Sequence, residues 1–177
     1  MRPPATAKIL SHTAVATLAS AIHESGRSIV LTNGVFDLLH VGHLRYLEEA
    51  RDLGDVLIVG LNSDASTRAL KGPTRPINPE AERAELLAGL VCVDAVVIFP
   101  ETTATRLVEA IRPDYWVKGG DYGSLEEALP RLPEAVTVQR LGGQVRLLPF
   151  VEGRSTSLLV ERILGARGPG PGAGGQG

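Results

Sequence analysis

Hydrophobic residues follow two alternating patterns along this chain. Five short, nearly continuous apolar runs predict buried strands, and they lie at 28–31, 55–61, 94–99, 115–118 and 144–148. Between these runs, apolar residues recur at three- and four-residue spacing, which is typical of helices with one buried face. Strands that alternate with helices predict an α/β fold with a parallel, doubly wound sheet. We expect one five-stranded sheet with the strands in the order 3-2-1-4-5.

The same pattern divides the chain into three parts. Residues 1–27 are expected to form a loose lead-in and then an amphipathic helix, with Val15 and Ile22 on its apolar face. Residues 28–164 carry the strands of a single Rossmann-like domain. Glycine and proline dominate 165–177, where we expect disorder. The N-terminal helix could pack against a partner, so a homo-oligomer stays open.

A polar loop is expected at 62–77, and the helix after it raises a question. Asn78 is predicted to cap that helix, and Leu87 and Leu90 belong to its apolar stripe. Arg83 lies on the same stripe, although arginine is rarely buried without a partner. Either its charge reaches water along an apolar stem, or the side chain points into an anion site.

The turn after the first strand carries the most distinctive chemistry. It runs from Thr32 to His43, contains two glycines and leads into a helix from about Val41. His40 and His43 lie where that helix begins. A helix start offers unpaired N–H groups and the positive end of the helix dipole, and histidines can donate further hydrogen bonds. This turn is therefore predicted to bind a phosphate chain.

Polar turns follow three of the predicted strands. They lie at 33–43, 118–122 and 153–157, after strands one, four and five. In doubly wound sheets, ligands bind beyond the carboxyl ends of the strands, at the point where the strand order reverses. We therefore expect all three turns to converge on one crevice.

Composition restricts the partners that this site can have. The net charge of −2 provides no overall basic field for nucleic acid, and no apolar run approaches the length of a membrane-spanning helix. The single Cys92 excludes an internal disulfide framework and fits a reducing compartment. We expect a cytoplasmic protein that binds neither nucleic acid nor membranes.

Several well-known motifs are absent from the sequence. It lacks the G-x-G-x-x-G dinucleotide fingerprint, the G-x-x-x-x-G-K-[ST] phosphate loop and the Cys/His spacings of zinc sites. The H-x-G-H of residues 40–43 would, alone, also fit a helix cap followed by a surface histidine. Here it follows a strand and the sequence Asn33-Gly34-x-Phe36-Asp37.

With that context, the chain resembles the nucleotidylyltransferase superfamily that carries the H-x-G-H signature. The resemblance extends from about Ile29 to Ile163. It is closest to the D-glycero-β-D-manno-heptose 1-phosphate adenylyltransferases, which make ADP-heptose. The segments that carry this likeness are 57–64, 70–73, 75–78, 117–122 and 149–157.

The resemblance implies transfer of AMP from ATP to D-glycero-β-D-manno-heptose 1-phosphate, which gives ADP-heptose and pyrophosphate. The heptose enzymes are often fused behind a sugar kinase, so we expect a separate sugar kinase to supply the acceptor here. One alternative is a cytidylyltransferase that acts on glycerol 3-phosphate or another polyol phosphate. The last motif of those enzymes reads R-T-E-G-I-S-T, whereas Phe150 and Arg154 replace two of its residues here. A non-catalytic nucleotide-binding module is the alternative from another class.

The resemblance also implies the roles of individual residues. His40, His43 and Lys71 would be catalytic, as stabilisers of charge on the phosphates, and no protein residue would ligate a metal. Mg²⁺ would be held mainly through the substrate phosphates. The expected nucleotide contacts are Thr32, Asn33, Gly34, Phe36, Gly42, Arg83, Lys118, Gly119, Asp121, Gly153, Arg154, Ser155 and Thr156.

Overall fold

Six parallel strands form one sheet, in the order β1-β4-β3-β2-β5-β6. The computed structural model describes residues 3–120, 123–149 and 156–165. The strands are β1 (Ile9–Leu10), β2 (Ile29–Gly34), β3 (Val56–Asn62), β4 (Ala95–Phe99), β5 (Tyr115–Gly119) and β6 (Gln144–Leu148). All seven residues of β3 are buried, because helices cover the sheet on both faces.

Helices form a layer on each face of this sheet. They are α1 (His12–Glu24), α2 (Val41–Arg51), α3 (Asp64–Lys71), α4 (Glu80–Gly89), α5 (Thr105–Ile111), α6 (Leu125–Ala128), α7 (Pro133–Arg140) and α8 (Thr156–Gly165), with 3₁₀ turns at Ala5–Lys8 and Leu129–Arg131. Buried side chains of α1, α5 and α7 pack on one face of the sheet, and those of α2 and α4 pack on the other. Within the described residues, no helix combines the length and the apolar character needed to cross a membrane.

The prediction of an α/β fold with a parallel sheet is confirmed, but five strands is wrong in number. The sixth strand is β1, which lies in the segment predicted to be a loose lead-in. It pairs Ile9 with Val96 and Leu10 with Val97 at the sheet edge. Two residues are too few to show a strand pattern. The other five strands lie in the predicted relative order.

The prediction of a polar loop at 62–77 is wrong, because α3 occupies half of it. The Ser63 side chain accepts a hydrogen bond from the Ser66 N–H, and the Glu80 carboxylate accepts one from the Asp64 N–H at 2.6 Å. These two caps stabilise a helix whose buried residues are the polar Ser66 and Thr67. The buried face of this helix is polar, so a search for apolar stripes does not find it.

Three other expectations need correction at the helices. Pro79 occupies the N-cap position of α4 and provides no side-chain cap. The prediction that Asn78 caps this helix is therefore wrong. The sequence predicts a last helix from Leu158 to Leu164, but that helix runs from Thr156 to Gly165. The apolar face of α1 packs on the sheet of its own chain, with Val15 and Ile22 buried, and is therefore not left for a partner.

Candidate active site

The turn between β2 and α2 has an unusual backbone. Phe36 adopts a positive φ of 45°, which is rare for a residue with a side chain. Its ring occupies the space that a side chain at Gly34 would fill, since a Cβ there would lie 3.1 Å from Phe36 Cε2. Gly34 therefore makes room for the aromatic ring as well as lining the cavity described below.

His40 is the N-cap residue of α2. Its Nδ1 accepts a hydrogen bond from the Gly42 N–H at 3.1 Å. Because Nδ1 is the acceptor, the proton of the neutral ring is assigned to Nε2. The helix cap thus fixes Nε2–H as the donor that His40 can offer to a ligand.

His43 stacks against His40 inside the first turn of α2. The ring centroids are 3.9 Å apart with an interplanar angle of 21°, and the Phe36 ring lies 5.4 Å from His43. Burial and, to a smaller extent, the charge interaction with His40 lower the pKa of His43 to about 4. Its buried Nδ1 has no hydrogen-bond partner among the described residues. The ring is therefore neutral at neutral pH.

A cavity of about 1100 Å³ lies at the carboxyl ends of the strands. Ligand pockets commonly measure about 300–1,000 Å³, so this one has room for a nucleotide together with an acceptor. Most of the predicted site residues line it: Asn33, Gly34, Phe36, His40, Gly42, His43, Lys71, Lys118, Gly119 and Thr156. The structure thus brings the turn after β2, the end of β5 and the start of α8 to one place.

Lys118 reaches the cavity from β5. Its Nζ donates to the Asn33 carbonyl at 3.3 Å, and the Asn33 side-chain oxygen accepts a hydrogen bond from Trp116 at 3.0 Å. Burial lowers the pKa of Lys118, Glu134 acts in the opposite direction, and Lys71 lowers it further. The Lys118 ammonium group thus lies on the cavity wall, where it could form a charge-assisted hydrogen bond with a phosphate.

Asp37 anchors the segment between α3 and α4. Its carboxylate accepts hydrogen bonds from Arg75 at 2.8 Å and from the backbone N–H groups of Ile77 and Asn78 at 2.7 and 3.1 Å. Lys71 ends α3 immediately before this segment and is exposed on the cavity wall. The turn that carries the histidines is thereby tied to the loop that carries Lys71.

Two predicted nucleotide contacts are buried away from the cavity. Thr32 is fully buried, and its hydroxyl lies 2.6 Å from the Tyr46 hydroxyl, which donates to the Val117 carbonyl. Tyr46 also packs beside Gly119, where a Cβ would lie 3.1 Å from its ring. Thr32 therefore positions Tyr46, which itself lines the cavity.

Arg83 is also fully buried, and its charge does not reach water. Its guanidinium donates to the carbonyls of Val35, Asn62 and Asn78 and forms a 2.7 Å ion pair with Asp64. Neither sequence interpretation describes this arrangement. The described contacts give Arg83 a structural role behind the site.

Sequence reasoning missed part of the cavity wall. Thr102 and Thr103 follow β4, so the rule that polar turns after strands mark the site could have found them. Glu134 and Tyr46 lie within helices and carried no such signal. The predicted contacts Asp121, Gly153, Arg154 and Ser155 lie outside the described residues, as does Phe150.

The donors around the cavity suit phosphate oxygens. The imidazoles and ammonium groups there can donate hydrogen bonds, whereas the Asp37 carboxylate is occupied by Arg75 and two backbone N–H groups. Across the described ranges, no group of three His, Cys, Asp or Glu residues is arranged to hold a metal ion.

Comparison with known proteins agrees with this geometry. Bifunctional protein HldE of Citrifermentans bemidjiense is 53% identical over 83% of this chain, and that of Geotalea uraniireducens is 50% identical over 91%. The chain spans only 30% and 32% of the length of these two relatives.

A solved structure and a family model also match. The crystal structure of the lipopolysaccharide core biosynthesis protein from Thermoplasma volcanium has a TM-score of 0.58 and 32% sequence identity. The match covers 73% of this chain and all of that one. The model of the cytidylyltransferase-like family matches residues 31–162. Because this match includes the sheet from β2 to β6 and the histidine turn, the chain belongs to the cytidylyltransferase-like family.

Proposed function

We propose that this protein transfers AMP from ATP to D-glycero-β-D-manno-heptose 1-phosphate, which gives ADP-heptose and pyrophosphate. The observation that carries the proposal is the pair of stacked histidines at the start of α2, on the wall of a cavity that Lys71 and Lys118 also line. The motif resemblance to the heptose adenylyltransferases supports the choice of nucleotide and sugar. Similarity to the bifunctional HldE proteins is consistent with that choice.

The reaction needs no general base. The second pKa of a phosphate monoester is about 6, so the acceptor phosphate is largely a dianion at neutral pH. Its oxygen attacks the α-phosphorus of ATP, and the bond to the pyrophosphate leaving group breaks. The protein contributes position and charge stabilisation, through the Nε2–H of His40, the His43 ring and the ammonium groups of Lys71 and Lys118.

Mg²⁺ would complete the charge balance. It supplies neutralisation of the β- and γ-phosphates when it is bound with ATP. The donors that line the cavity are mainly N–H and ammonium groups, so phosphate oxygens and water would provide most of its ligands. Chelation of Mg²⁺ is expected to abolish turnover without unfolding the protein.

The decisive experiment is a panel of nucleotides and acceptors. Pyrophosphate release is measured with ATP or CTP, each with heptose 1-phosphate or glycerol 3-phosphate, and the products are identified by mass. The proposal requires ADP-heptose from the first pair. CDP-glycerol would establish the cytidylyltransferase alternative, and ATP binding without any product would establish a non-catalytic nucleotide-binding module.

Replacement of His40 or His43 by alanine tests the assigned chemistry. Each variant is expected to lower kcat by about 10²–10³, the scale for loss of one preorganised donor to developing charge. His40→Asn separates two roles, because asparagine keeps an N-cap acceptor but lacks the ring. It should retain the melting temperature and still lose turnover. His12→Ala, on the exposed surface, is the control. Near-normal kcat in the His40 and His43 variants would contradict the mechanism.

A further inference from the structure

One wall of the cavity has no task in the phosphate chemistry. It consists of the loop after β4 and the segment that enters α7, and we call it the α7 wall: Thr102, Thr103, Arg131, Leu132, Pro133 and Glu134. The two threonines are exposed, whereas Glu134 is only 6% exposed. A buried carboxylate on a cavity wall calls for a partner.

Glu134 uses little of its hydrogen-bonding capacity within the protein. One oxygen accepts a hydrogen bond from the Ala104 N–H at 2.8 Å. Among the described residues, no lysine, arginine or histidine lies within ion-pair distance of it. A carboxylate can accept about four hydrogen bonds, so most of this capacity is available to a bound molecule.

Apart from Arg131, the polar groups of the α7 wall suit hydroxyl groups better than phosphates. The negative charge of Glu134 lies in the first turn of α7, where the helix dipole favours it, and it would repel a phosphate chain. Hydroxyl groups donate to carboxylates, and the Thr102 and Thr103 hydroxyls beside it can both donate and accept. Leu132 adds apolar surface for the C–H groups of a sugar.

Glu134 lies on a different segment of the cavity lining from two of the expected nucleotide contacts. Its hydrogen bond to Ala104 ties it to the segment that follows β4. Gly119 and Thr156, two expected nucleotide contacts, lie at the end of β5 and the start of α8. The α7 wall lines the same cavity, and we assign it to the acceptor because its carboxylate and threonine hydroxyls suit hydroxyl groups.

We propose that Glu134 is a specificity-determining residue, whose carboxylate accepts hydrogen bonds from hydroxyl groups of the acceptor sugar. The inference rests on the proposed function, because it takes the acceptor to be a sugar phosphate. It adds a residue that selects a polyhydroxylated acceptor over a phosphate ester with fewer hydroxyls.

Glu134→Gln is the test variant. Glutamine keeps an oxygen for the Ala104 N–H but removes the charge and replaces the second oxygen with a donor. The KM for heptose 1-phosphate is expected to rise about tenfold or more, the scale for loss of a hydrogen bond to a charged group. The KM for ATP should change less than about twofold. A rise in the KM for ATP alone would assign Glu134 to the ribose and overturn the proposal.

Glu109→Gln is the matched control. Glu109 is an exposed residue of α5 that pairs with Arg140 at 2.8 Å, and it does not line the cavity. Its loss removes the same charge from a neighbouring helix. Both KM values should stay at the wild-type level, because exposed ion pairs contribute little.

A second measurement does not depend on the variant's folding. Heptose 1-phosphate analogues that each lack one hydroxyl are assayed with the wild-type protein, and at least one should show a tenfold or larger rise in KM. That penalty should vanish in Glu134→Gln, because the hydroxyl and the carboxylate form one interaction. Equal KM values for all analogues with the wild type would overturn the proposal.

Calorimetry separates this proposal from the proposed function. Wild-type protein that binds heptose 1-phosphate more tightly than Glu134→Gln, yet releases no pyrophosphate with ATP, would sink the adenylyltransferase activity and keep the role of Glu134. If the wild type turns over ATP and heptose 1-phosphate and Glu134→Gln has the same KM for the acceptor, the activity stands and the role of Glu134 is overturned.

Discussion

His40 divides its two ring nitrogens between structure and chemistry. Nδ1 caps α2 through the Gly42 N–H, and this contact assigns the proton of the neutral ring to Nε2. A catalytic donor usually needs another residue to hold its tautomer. Here the first turn of the helix performs that task, so the donor is oriented before any substrate binds.

His43 carries an unsatisfied polar atom inside the fold. Its buried Nδ1 has no hydrogen-bond partner in the described part of the chain. Such an atom costs about 1–3 kcal/mol of stability. Because this nitrogen is buried, the fold bears that cost, and direct contact with a ligand in the cavity does not relieve it.

The lowered pKa of His43 predicts an acid-dependent loss of stability. In the folded protein the pKa is about 4, against an ordinary value of 6.5. Between these pH values the unfolded chain binds the proton more readily than the folded protein does. The contribution of the neutral His43 ring to folding stability is therefore complete above pH 6.5 and is lost as the pH falls towards 4. Melting temperatures of wild type and His43→Gln across this range should show a steeper acid decline in the wild type. Parallel declines would contradict the assignment.

At the scale of elements, α3 and its following loop form a unit that delivers Lys71. The helix is capped by Ser63 and Glu80, and the loop is held by Asp37. Ser63 follows β3, Glu80 is the first residue of α4, and Asp37 belongs to the histidine turn. Lys71 therefore has an exposed side chain on a fixed backbone.

Lys71→Ala is expected to weaken the use of ATP without disturbing the fold. Its ammonium group lines the cavity, whereas its exposed side chain contributes little packing. We expect the KM for ATP to rise about tenfold, the scale of one charge-assisted contact, with an unchanged melting temperature. Arg68→Ala is the control, because Arg68 is an exposed cation of the same helix outside the cavity lining. An equal effect of both changes would show only a general charge effect.

Which elements could be predicted depended on how each one is buried. The strands β2 to β5 appear in the sequence as apolar runs, because helices cover both faces of the sheet. Their predicted order rests on the general rule for doubly wound sheets. The two-residue β1 and the polar α3 leave no such record, because edge pairing and capping by distant residues stabilise them. Both elements therefore form because of tertiary contacts, which the local sequence does not show.

At the scale of the whole molecule, Arg83 joins four segments. It bonds to the histidine turn at Val35, to the end of β3 at Asn62, to α3 at Asp64 and to the entry of α4 at Asn78. These segments surround the site from behind. Arg83, one of the expected nucleotide contacts, thus holds together the frame around the cavity.

Arg83→Met is therefore expected to be strongly destabilising. It leaves the Asp64 carboxylate and three carbonyls without their donor, and breaking a buried ion pair costs about 3–5 kcal/mol. Urea unfolding should show a loss of about 3 kcal/mol or more in the free energy of unfolding. Arg106→Met is the control, since Arg106 is 82% exposed with a 3.7 Å ion pair, and it should change stability by about 0.5 kcal/mol or less. A stable Arg83→Met protein with a raised KM for ATP would instead support direct nucleotide contact.

Only part of the candidate site could be read from the sequence, for a physical reason. The histidine turn is local, since a strand, a glycine turn and a helix start follow one another along the chain. Glu134 and Tyr46 line the cavity because of the way α7 and α2 pack, and no sequence motif predicts which face of these helices points to the cavity. Thr32 opens the histidine turn and Arg83 lies on the apolar stripe of a helix, and burial gives both side chains supporting positions.

The pairing of β2 with β5 has a consequence for how the protein is made. Three side-chain contacts join them: Ile29 with Asp114 at the amino ends of the strands, and Asn33 with Trp116 and with Lys118 near the site. Their partners are 83 to 85 residues apart in the chain. Contacts this distant form late and slow the search for the native topology. During synthesis, the histidine turn therefore leaves the ribosome long before the strand that completes its pocket, and a nascent chain that ends before β5 has no nucleotide site.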